Sequence, residues 1–343
     1  MHVLRLAPTV RPRVALSNGV VPGRETVRAI ARRARALAAV NGGYFGSSGL
    51  FEGDPSGALA IRGRLISEPD GGRASLILPP PPARARVANL WFAGSVSING
   101  GRRELDGINR ARGPIAFCAR AAARGGLGQA FAAASACSDA SELVMYTRRF
   151  GRRTRTSSRG VEAVVSHGVI TSLRYGGNSR IPKGGYVLSG SGDAASFLKA
   201  VAAPGARPAV DPTMQADSRL LRRGSYQSIV GGGPSLVRAG RARVRAAAEG
   251  FTPIFAARNP RTLAGVRPNG QVLLVTIDGR NRRWSVGVTL WQAARVMRAL
   301  GARNALNLDG GGSTTMVVGR RVVNRPSDGA PRRVSDALLV LRP

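Results

Sequence analysis

Histidine is almost missing from this chain: His2 and His167 are the only two. A serine–histidine–aspartate relay needs a histidine beside its nucleophile, and a histidine-rich metal centre needs several, so both chemistries are excluded. His167 also falls at the turn of a predicted hairpin, Val161 to Ser172, where it reads as an exposed turn residue rather than a base. Cysteine is as scarce, with Cys118 and Cys137 alone and no C-x-x-C pair, so a zinc site has no support. A Cys118–Cys137 bridge would close a loop of about 20 residues, worth roughly 3 kcal/mol in a chain-entropy picture, and it needs an oxidising compartment. The other reading is two unrelated small residues.

Lysine is nearly absent too, with only Lys183 and Lys199, so the 52 basic residues are almost all arginine. Set against 18 acidic residues they give a net charge of +34. The arginines are scattered rather than gathered in one tail, which fits an arginine-rich codon usage better than a dedicated polyanion binder. Aromatic residues, at 5%, are too sparse for a base-stacking platform, so no specific nucleic acid is expected. The charge still draws anionic substrates at low salt. No run reaches the ~18 apolar residues of a membrane-crossing helix, so no transmembrane segment is expected. Met1 to Leu16 carries Arg5, Arg11 and Arg13 without a continuous apolar core, and no signal peptide is visible there. Nucleophile-elbow, phosphate-loop and dinucleotide fingerprints are also lacking.

Glycine is plentiful. The 45 glycines and 21 prolines punctuate short apolar runs at hairpin spacing. Turns are expected at Arg62-Gly63, His167-Gly168, Ala239-Gly240, Asn269-Gly270 and Gly319-Arg320. A helix is expected over Arg24–Ala38, with Val27, Ile30, Ala34, Leu37 and Ala38 as its apolar stripe. A shorter one carries Ala194, Phe197, Leu198 and Val201, and residues 202–225 read as irregular. A third helix starts at Thr289, where Gln292 completes a capping box, buries Leu290, Ala293, Ala294, Met297 and Leu300, and stops at Gly301. The expected architecture is α+β: a mixed, largely antiparallel, hairpin-rich sheet with a few packed helices. One domain spans 1–343, with an inserted surface loop at 119–141.

The stretch Ala305–Thr315 organises the rest. Read with period 2, Leu306 and Leu308 face one way and Asn307 and Asp309 the other. The strand thus delivers an amide and a carboxylate to its end, followed by Gly310, Gly311 and Gly312 and then the hydroxyls of Ser313 and Thr314. Bare backbone next to an acid and hydroxyls suits a sugar or an anion. The bland alternative is a sharp strand–turn–strand. Similar pieces recur: Asn41-Gly42-Gly43-Tyr44, where the asparagine can bond a hydroxylated ligand and the ring can wall it; Gly231-Gly232-Gly233; Arg261-Thr262; and Asp278-Gly279-Arg280 closing another apolar strand.

These pieces, in this order and joined by Asn324 and the Pro326–Gly329 loop, resemble the phosphodiester glycosidase family over residues 40 to 341. The loop at 119–141 and the missing secretion signal depart from the family pattern. The resemblance implies hydrolysis of a sugar-1-phosphodiester, on a bacterial envelope polysaccharide or phosphoglycan, and an extracellular or cell-envelope location. Asp278 and Asp309 are the expected carboxylate pair for an oxocarbenium-like transition state, and Arg261 the expected grip on the phosphate. Asn41, Asn307, Ser313 and Thr314 would orient sugar hydroxyls, and Gly42, Gly43, Tyr44, Gly231, Gly232, Gly233, Thr262, Arg280, Gly310, Gly311 and Gly312 complete the expected binding surface. No cofactor is implied, a divalent cation between the aspartates stays open, and nothing speaks to oligomeric state. The competing class is a non-catalytic binder of anionic envelope polymers.

Overall fold

The computed structural model describes residues 1–47, 49–112, 114–115, 137–138 and 140–342. Cys118, the Cys118–Cys137 pairing and most of the 119–141 loop lie outside them. Three sheets meet at the site. The first has six strands in the order His2–Arg5, Val272–Ile277, Arg261–Val266, Asn304–Asn307, Ser235–Arg238, Arg241–Ala242. The second has five, Arg13–Leu16, Asp336–Val340, Ala38–Asn41, Met316–Val318 and Arg321–Val322. The third has seven, with Ala74–Leu78, Ser228–Gly231 and Leu59–Ile61 adjacent within it. Their inward faces share one apolar core, to which Val40, Leu76, Val230, Leu306, Leu308 and Leu338 contribute. Pairing is antiparallel throughout the described strands except Gly107–Ile108 beside Leu143–Thr147. The architecture is the expected sheet-rich α+β type.

Among the described residues three α-helices pack on the sheets. The helix Leu290–Ala299 covers the outer face of the six-stranded sheet, burying Leu290, Ala293, Ala294 and Met297. Its capping box is present as expected: the Thr289 hydroxyl accepts from Gln292 N–H, and the Gln292 side chain accepts from Thr289 N–H. At the other end Gly301 sits at φ +82° and the Ala302 N–H reaches back to the Met297 carbonyl, a 3.0 Å bond that closes the last turn.

The first helix is shorter than the expected Arg24–Ala38. It runs Val27–Arg33, starts on a Thr26 cap, and ends because Arg35 turns left-handed at φ 52°. Arginine is not a residue that announces such a stop. Leu37, expected in the buried stripe, is 42% exposed and gives its N–H to Val340. The stretch 202–225 is not irregular throughout; it holds short strands at Ala209–Asp211, Met214–Ala216 and Arg219–Leu221. No helix among the described residues is long and apolar enough to cross a membrane.

Candidate active site

The Asn304–Asn307 strand lies between Arg261–Val266 and Ser235–Arg238. Alternation sends Leu306 and Leu308 into the shared core and Ala305 toward the helix. Beyond Leu308 the chain leaves the sheet. Asp309 gives its N–H to the Gly42 carbonyl at 3.2 Å, and its own carboxylate accepts the Gly310 N–H at 2.9 Å. The turn Gly311–Ser313 then folds the chain back. At Gly312 a Cβ would overlap both the Asp328 carboxylate and the Arg332 guanidinium, so the bare backbone is what lets that ion pair lie against the turn.

Two asparagines lock this turn from behind. Asn41, fully buried, donates to the Asp309 carbonyl at 2.7 Å and accepts from the Thr262 hydroxyl at 2.6 Å and the Thr315 N–H at 3.1 Å. Asn307 donates to the Tyr44 hydroxyl at 2.7 Å, and that hydroxyl donates to the Gly233 carbonyl at 2.9 Å. Residues of the Asn41–Tyr44, Gly231–Gly233 and Arg261-Thr262 stretches therefore meet the Asn307–Thr315 stretch at one place, by way of side-chain amides and backbone carbonyls.

In front of the turn lies a cavity of about 380 Å³, within the range of small-ligand sites. Tyr44, Phe45, Phe251 and Phe255 wall it. The Phe251 ring centroid is 5.6 Å from Tyr44 and 5.2 Å from Phe255, so three rings form one continuous surface. Arg24, Arg73 and Arg332 bring guanidinium groups, Ser47 and Ser56 hydroxyls, and Asp309 is the single carboxylate among the lining residues. Each arginine carries an acid partner: Arg24 pairs with Glu52, Arg73 with Asp70 and Arg332 with Asp328. Arg73 also stacks on Phe251, 4.8 Å from the centroid.

Burial pushes the Asp309 carboxyl up to about 6, against the Ser313 hydroxyl, the Gly310 N–H and the charges of Arg332 and Arg280, which favour its ionised form. Asp336 is pushed to about 6 as well, chiefly by burial, with the charge of Asp309 adding to the rise and hydrogen bonds from Ser335 and Gly43 opposing it. Asp336 was not singled out from the sequence. It stands at the head of an apolar strand after Ser335, where an aspartate reads as a turn former. Arg24, Arg73, Arg332, Phe251 and Phe255 were missed for a different reason: they sit in segments whose local pattern carries no mark.

The expected partner of Asp309 stands elsewhere. Asp278, 3% exposed, accepts from the Asn324 side chain at 3.1 Å and the Arg325 N–H at 3.0 Å, with the Trp284 indole N–H at 3.5 Å. It is absent from the cavity lining and anchors the segment that leads to Asp328 and Arg332. Arg261 is absent from the lining too. Its guanidinium donates to the carbonyls of Phe255 at 2.6 Å, Ala257 at 2.7 Å and Val288 at 3.3 Å, so it holds the aromatic wall. Arg280 bonds the Asn259 side chain and lies over Gly311. Thr262, Thr314, Gly231 and Gly232 are buried behind the cavity. No three His, Cys, Asp or Glu side chains among the described residues are grouped to hold a metal ion.

Comparison with known proteins bears on the family of the chain. A crystal structure of a Burkholderia pseudomallei K96243 protein, provisionally named an exported protein, superimposes with a TM-score of 0.84 at 33% identity, covering 99% of this chain and 73% of that one. The SPbeta prophage-derived uncharacterized protein YomE of Bacillus subtilis (strain 168) is 37% identical over 86 residues, 25% of this chain and 13% of its own length. The bovine (Bos taurus) N-acetylglucosamine-1-phosphodiester alpha-N-acetylglucosaminidase is 37% identical over 90 residues, 24% of this chain and 17% of its own. The chain thus matches less than a fifth of either curated relative. The family model described as phosphodiester glycosidase matches residues 159–341, more than half of the 343 residues, and the chain belongs to the phosphodiester glycosidase family.

Proposed function

We propose that this chain hydrolyses a sugar-1-phosphodiester, freeing the sugar from a phosphate that stays on the other partner. The observation that carries the reading is the cavity itself, with one carboxyl poised near neutrality, a wall of rings and three guanidinium groups. The rings offer a face for the C–H side of a sugar and keep water away. Arg24, Arg73 and Arg332 neutralise the phosphate, which as a leaving group is already acidic and needs charge compensation more than a proton. Ionised Asp309 then faces the anomeric carbon, where it supports the oxocarbenium-like charge as nucleophile or as the base for water.

Sequence reasoning divided the work between Asp278, Asp309 and Arg261. The reading supported by the geometry keeps Asp309 as the catalytic carboxylate. Asp278 becomes the anchor of the Arg332 segment, and Arg261 the brace of the aromatic wall. Asn41 and Asn307 hold the Asp309 turn and the Tyr44 ring in place. Ser313, in the turn itself, and Thr314, just after it, are buried and absent from the cavity lining. The substrate is a sugar phosphodiester of the cell envelope, met outside the cytoplasm. The name of the Burkholderia relative and the surplus of positive charge, which concentrates anionic polymers, both favour that setting.

The test is turnover of a panel of sugar-1-phosphodiesters and teichoic-acid-like polymers, with and without chelator, by the parent and by Asp309→Asn. Release of free sugar by the parent and a loss of at least ~100-fold in the variant is the expected result. Tight, salt-sensitive binding without release would make the chain a binder.

A further inference from the structure

Asp336 is a buried carboxylate with no catalytic place in the reaction proposed for Asp309. It is 1% exposed at the head of the strand Asp336–Val340. The strand pairs with Ala38–Asn41, and just past that pairing the Asp336 carbonyl accepts the Gly42 N–H at 3.0 Å. Its side chain curls over the same turn. One carboxylate oxygen accepts the Gly43 N–H at 3.2 Å and the other the Ser335 hydroxyl at 2.6 Å. A Cβ on Gly42 would overlap that carboxylate, so the glycine is what lets it settle there. The far side of the turn holds Asp309, whose N–H bonds the Gly42 carbonyl at 3.2 Å. Gly42 is therefore a single residue bonded to one aspartate through its N–H and to the other through its carbonyl.

Among the described residues no guanidinium or ammonium pairs with Asp336. Burying a carboxylate on neutral donors alone is costly, and a purely structural acceptor at this place could be an amide. We propose that Asp336 is a positioning residue for Asp309: its carboxylate braces the Gly42–Gly43 turn that seats Asp309, and its charge acts on Asp309 across that turn. The proposal rests on the reading of Asp309 as the working carboxylate. The charged and titratable groups around Asp309 are Arg332 with its partner Asp328, Arg24 with Glu52 and Arg73 with Asp70 across the cavity, Arg280, Tyr44 and Asp336. Around Asp336 they reduce to Asp309, beside the neutral donors of Ser335 and Gly43. Two like charges held on the two sides of one glycine give up their protons one after the other, as a pair.

The test is a pH titration of the aspartate side-chain carboxyls by carbon-13 NMR in the parent, in Asp336→Asn and in Asp309→Asn. Asparagine at 336 can still accept from Gly43 and can donate to Ser335, so the turn stays braced while the charge goes. The Asp309 midpoint should move to lower pH in Asp336→Asn, and the Asp336 midpoint should move down by the same amount in Asp309→Asn, since coupling is reciprocal. With substrate, the acid limb of kcat/KM should move the same way in Asp336→Asn, and kcat should change more than KM. Superimposable titration curves in either variant would overturn the proposal. If Asp336→Asn fails to fold, the Asp309→Asn arm decides alone. The titrations use no substrate, so they report the coupling of the two carboxyls even if the activity assigned to the cavity is wrong.

Discussion

Asn41 donates its side-chain amide to the main-chain carbonyl of Asp309 at 2.7 Å, across 268 residues of sequence. The same side chain accepts from Thr262 and Thr315, so one amide ties the first site segment to two later ones. Replacing Asn41 with alanine strands a buried carbonyl, a hydroxyl and an N–H at once. Unfolding in denaturant should show a loss of about 2–4 kcal/mol, the scale for several buried partners left unpaired. Where the variant is folded, kcat should fall well before KM rises, because Asp309 loses its seat and the cavity rings do not.

The raised carboxyls predict opposite pH trends for activity and stability. Asp309 must be ionised to work, so turnover should fall as pH drops through about 6. For stability the sign reverses. A carboxyl whose folded value lies above its unfolded one binds more protons in the folded state between the two, so stability rises as pH falls from 7 toward about 4. Asp309, Asp336 and Asp70 all contribute in this direction. For Asp336, a rise from 3.8 to about 6 opposes the folded state at neutral pH by on the order of 3 kcal/mol. Glu25 and Glu162, held below their usual range despite burial by hydrogen bonds to Arg33 and to Ser179 and Thr156, lose their contribution only at lower pH. Thermal unfolding should therefore peak near pH 5, and Asp309→Asn should unfold at a higher temperature than the parent at pH 7.

Arg261 and Arg332 should separate by substrate. Arg261→Lys removes the planar donors that hold the Phe255 and Ala257 carbonyls, so it should damage turnover equally for a phosphodiester and for a glycoside with a neutral leaving group. Arg332→Gln should damage the phosphodiester selectively, by ~10-fold or more in kcat/KM, the scale of one charge-assisted contact to phosphate. Equal losses in Arg332→Gln on both substrates would take the phosphate away from that residue.

Gly312→Ala tests the seat of the Asp328–Arg332 pair. The added methyl falls where that pair lies. Its effect on kcat/KM should resemble that of Arg332→Gln, and combining the two should add little. A fully additive double variant would show that the glycine matters for another reason.

Much of this was legible from residue order. The Arg62-Gly63, His167-Gly168 and Ala239-Gly240 turns lie at the positive φ values that such pairs favour. The Leu306/Leu308 alternation put Asp309 where it is because both leucines must reach the shared core, which fixes the register of the residues beside them. The limits were physical as well. Arg35 ends a helix in a conformation its side chain does not advertise. Asp278 and Asp309 look alike as strand-end acids, and only the third dimension shows one bonded to Asn324 and Arg325 while the other lines a cavity. Arg332 could not be told from the other arginines of a chain that carries 52 basic residues.

The strand Asp336–Val340 sits between Arg13–Leu16 and Ala38–Asn41. These two earlier strands are thus paired in the sheet through one that follows much later in the sequence, and the same later strand brings Asp336 to the Asp309 turn. The site therefore cannot assemble before Asp336–Val340 has been made, and a protease that removes that strand dismantles the seat of Asp309 without touching a residue that lines the cavity. Split at a hairpin turn such as Gly319-Arg320, the chain becomes two fragments neither of which holds a complete site, and activity regained on mixing them would report their reunion.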